Sequence, residues 1–128
     1  MKKFLFLIVL SILFQSTIKA QQPMGGGQMP EPKEMADREV QRLKKELILT
    51  DDQTAKITPI SLKYAEQMKT IIADAREEGD FSGVRAKMEV LQKAKSAEVV
   101  PLLTDEQKPK YEAFKKKMLE RAQGMRGN

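Results

Sequence analysis

The side chains that most often carry catalysis are missing from this sequence. None of its 128 residues is His or Cys. That removes the commonest general base, the commonest metal ligand and every thiolate nucleophile together. Catalysis would then need paired carboxylates or a Ser/Lys arrangement set in a pocket. Ser61, Ser82 and Ser96 sit in no such context, and no Gly-x-x-x-x-Gly-Lys-Ser/Thr loop is present to cradle a nucleotide phosphate. The sequence points away from an enzyme and implies no cofactor and no metal. One soft pair stands out, Met24 and Met29. Thioethers can ligate Cu(I), but no third soft ligand is near, and the two read as ordinary residues of a tail.

One polar pattern occurs twice. Leu49-Thr50-Asp51-Asp52-Gln53 and Leu103-Thr104-Asp105-Glu106-Gln107 share the order Leu-Thr-acid-acid-Gln. Thr at a helix N-cap accepts a hydrogen bond from the amide three residues on, and a Gln there reaches back to the Thr amide. Two acids in the first turn suit the positive end of the helix dipole, and the preceding Leu can close the corner by burial. The pattern is fully explained by helix capping, so it shapes a fold rather than performing chemistry.

A second set of residues suits contact with other chains. Taking the main apolar stripe of the segment 51–78 as zero, Leu62, Ala65, Lys69, Ile72 and Arg76 fall between about 60° and 140° at 100° per residue. Glu66, Asp74 and Glu77 fall on another side. Cations steer an encounter and aliphatic groups prolong it, which fits weak, promiscuous contact with unfolded polypeptide. Leu62, Lys69, Ile72 and Arg76 are the candidate client-binding residues, and Met68, Met88 and Met118 would add adaptable contact area. Elsewhere, Lys115, Lys116 and Lys117 form a basic run that could meet an acidic partner surface.

These groups must be positioned by helices. Ala36, Val40, Leu43 and Leu47 recur at helical spacing from Lys33 to about Ile48. Ile57, Ile60, Tyr64, Met68, Ile71 and Ala75 continue the period through a second helix of about 40 Å, stopped by Gly79, with Pro59 expected to kink it. Asp80 or Ser82 is the expected cap of a third helix. Its stripe runs Val84, Met88, Leu91, Val99 and Leu102, weakens at Lys95, and ends near Pro101. A fourth follows Thr104 with Tyr111, Phe114, Met118, Ala122 and Met125. No segment alternates with period two for the length of a strand. The expectation is an all-α, four-helix elongated protomer, with a second helix so long for so few residues that two copies should share its exposed side.

The ends have a different character. Lys2 and Lys3 precede an apolar run from Phe4 to Phe14, too short to span about 30 Å of hydrocarbon. Residues 1–20 thus read as a secretory signal peptide cleaved after Ala20, leaving no stable membrane insertion. Residues 21–32, rich in Gly, Pro and Met, read as a flexible leader, 33–123 as the helical domain and 124–128 as a disordered tail. Taking Lys2, Lys3 and Lys19 from the 23 basic residues leaves 20 against 18 acidic, a net of +2. That balance argues against a nucleic-acid partner.

A secreted, Cys-free helical chain carrying Leu-Thr-x-x-Gln at Leu49, Thr50 and Gln53 and again at Leu103, Thr104 and Gln107 resembles the Spy/CpxP periplasmic family. The resemblance implies a curved, cradle-like homodimer. It also implies periplasmic ATP-independent chaperone activity on unfolded envelope proteins within the envelope stress response. The alternative it implies is a regulatory partner that docks on and restrains an envelope-stress sensor.

Overall fold

The computed structural model describes residues 29–124, and within them it is built of four α-helices, with no strand. The expected signal segment 1–20, Met24, most of the leader, and Met125 in the tail lie outside the described residues.

Helix α1 spans Pro32–Leu47, with its proline in the first turn, where the missing N–H has no intrahelical use. Ala36, Val40, Leu43 and Leu47 are all buried, as their spacing predicts. The chain leaves α1 through Ile48 at φ 54° and ψ 56°, a left-handed conformation that a β-branched residue rarely adopts. Helix α2, Asp51–Glu78, follows and continues through Pro59. Gly79 ends it in the same left-handed form, at φ 69°, which costs a glycine nothing sterically. After a short turn, α3 runs Val84–Val99, passes into a 3-10 turn at Val100–Leu102 that contains Pro101, and α4 spans Gln107–Gly124.

Helix α2 is the spine. Helices α1 and α3 both pack on it, and α4 packs on α1. One apolar core, built from Val40, Leu43, Leu47, Leu49, Ile57, Val99, Leu103, Tyr111 and Phe114, joins all four near the two Leu-Thr-acid-acid-Gln segments. The far end is thinner. Glu31, just before α1, reaches Lys69 at 2.9 Å, so α1 covers α2 only that far. Beyond it α2 and α3 form a two-helix projection whose Ile71, Ile72, Val84, Met88 and Leu91 are half-buried.

Three expectations need correcting. Lys95, taken as a weak point in the α3 stripe, is itself buried, at 6% exposure, and forms an ion pair with Glu39 of α1. The α3 stripe stays inward there because a carboxylate from the neighbouring helix meets the ammonium. Neither Asp80 nor Ser82 caps α3. Its N-cap is Gly83, while the Asp80 carboxylate accepts from the Ser82 amide at 2.8 Å within the turn, a bond that holds that carboxyl below the usual range. Ala65, placed on the apolar–basic strip, is buried; the face that α2 turns inward also includes Ser61 and is wider than its stripe.

Candidate functional site

Both Leu-Thr-acid-acid-Gln segments form complete capping boxes. The Gln53 amide donates to Thr50 Oγ1 at 3.1 Å, and the Thr50 amide donates to Gln53 Oε1 at 3.0 Å. The Thr104 and Gln107 bonds repeat this at 3.0 and 3.3 Å. The leucines, Leu49 and Leu103, are both buried in the core.

The two boxes also meet each other. Gln53 Nε2 donates to Gln107 Oε1 at 2.7 Å, and Gln107 Nε2 donates back to Gln53 Oε1 at 3.1 Å. The remaining donor capacity crosses over. Gln53 Nε2 bonds the Leu102 carbonyl at 2.9 Å, and Gln107 Nε2 bonds the carbonyls of Leu47 at 3.2 Å and Ile48 at 3.4 Å. Leu102 and Ile48 are the residues immediately before the two leucines, so the arrangement is two-fold symmetric in sequence as well as in bonding. Each side-chain amide spends its donors and uses its oxygen twice. A polar pair with nothing left over can sit at a buried joint without cost from unmet groups. This clasp is structural: it leaves no group free to act on a ligand.

The proposed client-binding residues lie along one side of α2 but differ in environment. Leu62 and Ile72 are half-buried, Arg76 is exposed, and Lys69 is held by Glu31. Nearby, Glu98 of α3 receives both Lys63 and the Tyr64 hydroxyl, the latter at 2.5 Å. Those two bonds hold the Glu98 carboxyl below its ordinary range, Lys63 contributing most, and the bond to Glu98 raises the Tyr64 hydroxyl. The Lys63 ammonium also stands 4.7 Å from the Tyr64 ring centre.

The serines do not assemble a nucleophile. Ser61 is buried inside α2, and Ser82 lies in the exposed turn. Ser96 does have a lysine beside it, with Lys115 Nζ at 3.2 Å. That ammonium also binds Glu112 at 2.8 Å and stands 5.0 Å from the Tyr111 ring, so it acts as a satisfied donor. In the basic run, Lys117 turns to Glu46 at 3.5 Å, which leaves Lys116 as its exposed cation without a described carboxylate partner. Among the described residues no group of three or more acidic side chains is arranged to hold a metal ion. No helix among them is long and apolar enough to cross a membrane.

The sequence model of a family described as a domain of unknown function, DUF4890, matches residues 20–111. That stretch runs from before α1 into the first turns of α4 and includes both capping boxes and the whole clasp. The chain belongs to the DUF4890 family. No curated protein and no solved structure matches it.

Besides the clasp, two features of this DUF4890 protein do not follow from its sequence pattern. The Lys95–Glu39 pair joins helices far apart in the chain, and no local pattern marks which acid a buried lysine will find. The other is a cleft of about 150 Å³ between α1 and α4, lined by Arg42, Lys45, Glu46, Phe114, Lys117, Met118 and Arg121. Its signal was present as the spacing Arg38, Arg42, Lys45 on α1 and Phe114, Lys117, Arg121 on α4, which sets cations beside apolar residues on facing helices.

Proposed function

We propose that this DUF4890 protein is an ATP-independent chaperone of the periplasm that holds unfolded polypeptide on the projecting α2–α3 hairpin. One observation carries the reading. Past Lys69 the described residues supply only two helices, so Ile71, Ile72, Met88 and Leu91 remain half-exposed beside the exposed cations Arg76 and Lys87. Packed positions left half-covered next to solvated cations can hold short apolar stretches of many sequences weakly. The resemblance of the paired motifs to the Spy/CpxP family and the signal-like residues 1–20 support the same reading and its location, and a homodimer belongs to it.

The test is aggregation of an unfolded model client with and without the secreted, processed protein, in the absence of nucleotide and metal. Suppression at near-stoichiometric ratio is expected. Ile72→Ser should speed client release and Arg76→Glu should slow capture and flatten its salt dependence. No suppression, or suppression only with ATP, removes the reading. Suppression unaffected by either substitution keeps the activity and moves the surface elsewhere.

A further inference from the structure

The α1–α4 cleft gathers cations around an apolar floor, and the tip of the α2–α3 hairpin gathers exposed acids beside an exposed ring, with the exposed cations Arg76 and Lys87 just behind them. The cleft carries Arg42, Lys45, Lys117 and Arg121 around a floor of Phe114 and Met118. Its one acid, Glu46, is taken by Lys117. Arg42 donates only to the Met118 sulfur, at 3.8 Å. No carboxylate of the described residues lies within ion-pair distance of Arg42, Lys45 or Arg121. Residues 1–28 and 125–128 contain no Asp or Glu, so no side chain there could neutralise them either.

The tip offers the converse. Glu77, Glu78, Gly79, Asp80 and Phe81 place three acids within four positions of one phenyl ring. All are exposed, Phe81 at 55%, and no cation of the described residues forms an ion pair with the three acids. An apolar cavity of about 150 Å³ is large enough for a benzene ring, and the cleft has that volume with an apolar floor. The tip cannot reach its own cleft. The cleft lies beside the C-terminal half of α1, next to the start of α2, and the tip lies at the other end of α2, about 40 Å away along the helix.

We propose that a second copy of this chain places Phe81 in the α1–α4 cleft, with Glu77, Glu78 and Asp80 against Arg42, Lys45 and Arg121. Two copies side by side in opposite directions make the contact twice about a two-fold axis, which closes the assembly as a dimer. The inference deepens the homodimer that belongs to the chaperone reading by assigning the surfaces that join two copies, and it does not depend on chaperone activity.

Sedimentation of the secreted, processed protein at low and high salt tests it. A dimer is expected that weakens as salt rises, because the contact is largely between solvated charges. Phe81→Ala should weaken self-association roughly tenfold without changing the helical content, as the ring is mostly exposed. Reversing the tip with Glu77→Lys, Glu78→Lys and Asp80→Lys should give a monomer, and so should reversing the cleft with Arg42→Glu, Lys45→Glu and Arg121→Glu. Mixing the two reversed proteins should restore a dimer, because each then offers the surface that the other needs. That recovery also shows that both variants are folded. A wild-type monomer overturns the proposal, even if its cleft binds an acidic aromatic peptide. So does a dimer indifferent to both reversals, or a mixture of the reversed proteins that stays monomeric. Loss of chaperone activity alone would leave this result standing, and loss of the dimer alone would leave the aggregation assay to stand or fall by itself.

Discussion

Ile48 does with a β-branched side chain what Gly79 does with none. Both end a helix in the left-handed region, with φ of 54° and 69°, and each amide returns to a carbonyl four residues back. A Cβ in that region costs about 1–2 kcal/mol, while Asn tolerates it through its short polar side chain. Ile48 is also 75% exposed, so little packing offsets the strain. Ile48→Asn should therefore stabilise the protein by about 1 kcal/mol, seen as a higher melting temperature. A lower one would mean that the exposed side chain is held by contacts in another molecule. Glu98 sets a pH limit at the same scale. Its folded-state carboxyl is held below the ordinary range by Lys63 and Tyr64, so its contribution is complete above the ordinary glutamate pKa and fades as pH falls through the lowered value. The Tyr64 hydroxyl is raised, so its share is complete below the ordinary tyrosine pKa and fades as pH rises through the raised value. The stability difference between wild type and Glu98→Gln, followed by thermal melting across pH, should be widest in the neutral range and narrow at both extremes. A difference flat from strong acid to neutrality would show that the three groups do not couple in solution.

At the scale of elements, the capping boxes and the clasp should separate by mutation. Thr50→Ala removes one cap and should cost about 1 kcal/mol. Gln107→Ala removes a cap, both bonds to Gln53 and the bonds to the Leu47 and Ile48 carbonyls, for about 3 kcal/mol in denaturant melts. Equal losses would mean that the clasp adds nothing to the caps. The Lys95–Glu39 pair behaves differently again. Glu39→Ala strands a buried ammonium and should cost about 3 kcal/mol, whereas Glu39→Leu with Lys95→Met should fall near wild type. A double substitution as damaging as the single one would overturn that account. These contrasts show what the sequence could reveal. Helix α1 was legible because four aliphatics recur without interruption and all are buried. The start and end of α2 were legible because Thr50 and Gly79 act on their own helix. Helix α3 was legible in its extent but not in its inward face, which contains a lysine whose burial depends on a glutamate from another helix. The clasp was invisible for the same reason. Each Gln has a sufficient local purpose as a cap, and nothing in its neighbourhood announces a partner 54 positions away.

Over the whole molecule, the structure is a dense joint with a thin extension. The core gathers around the clasp, and the α2–α3 projection beyond Lys69 has two helices where the joint has four. The two ends should therefore differ in how readily they open. The clasp also has a cost in chain entropy. Its partners are 54 positions apart, and closing a loop of that length costs about 3–4 kcal/mol by the logarithmic law, before any constant term. Helical hairpins form from local contacts and need no such closure, so the clasp should lock last, after α1 has met α2 and α3 has turned back along it. When it opens, the glutamine oxygens that accept from the Thr50 and Thr104 amides both lose their bond to the other glutamine, so the two boxes loosen together. In hydrogen exchange these two amides should be released at a common rate as a single kinetic unit, while amides at the start of α3, such as Lys87, exchange earlier. Two clearly different rates at Thr50 and Thr104 would show that the joint comes apart one glutamine at a time.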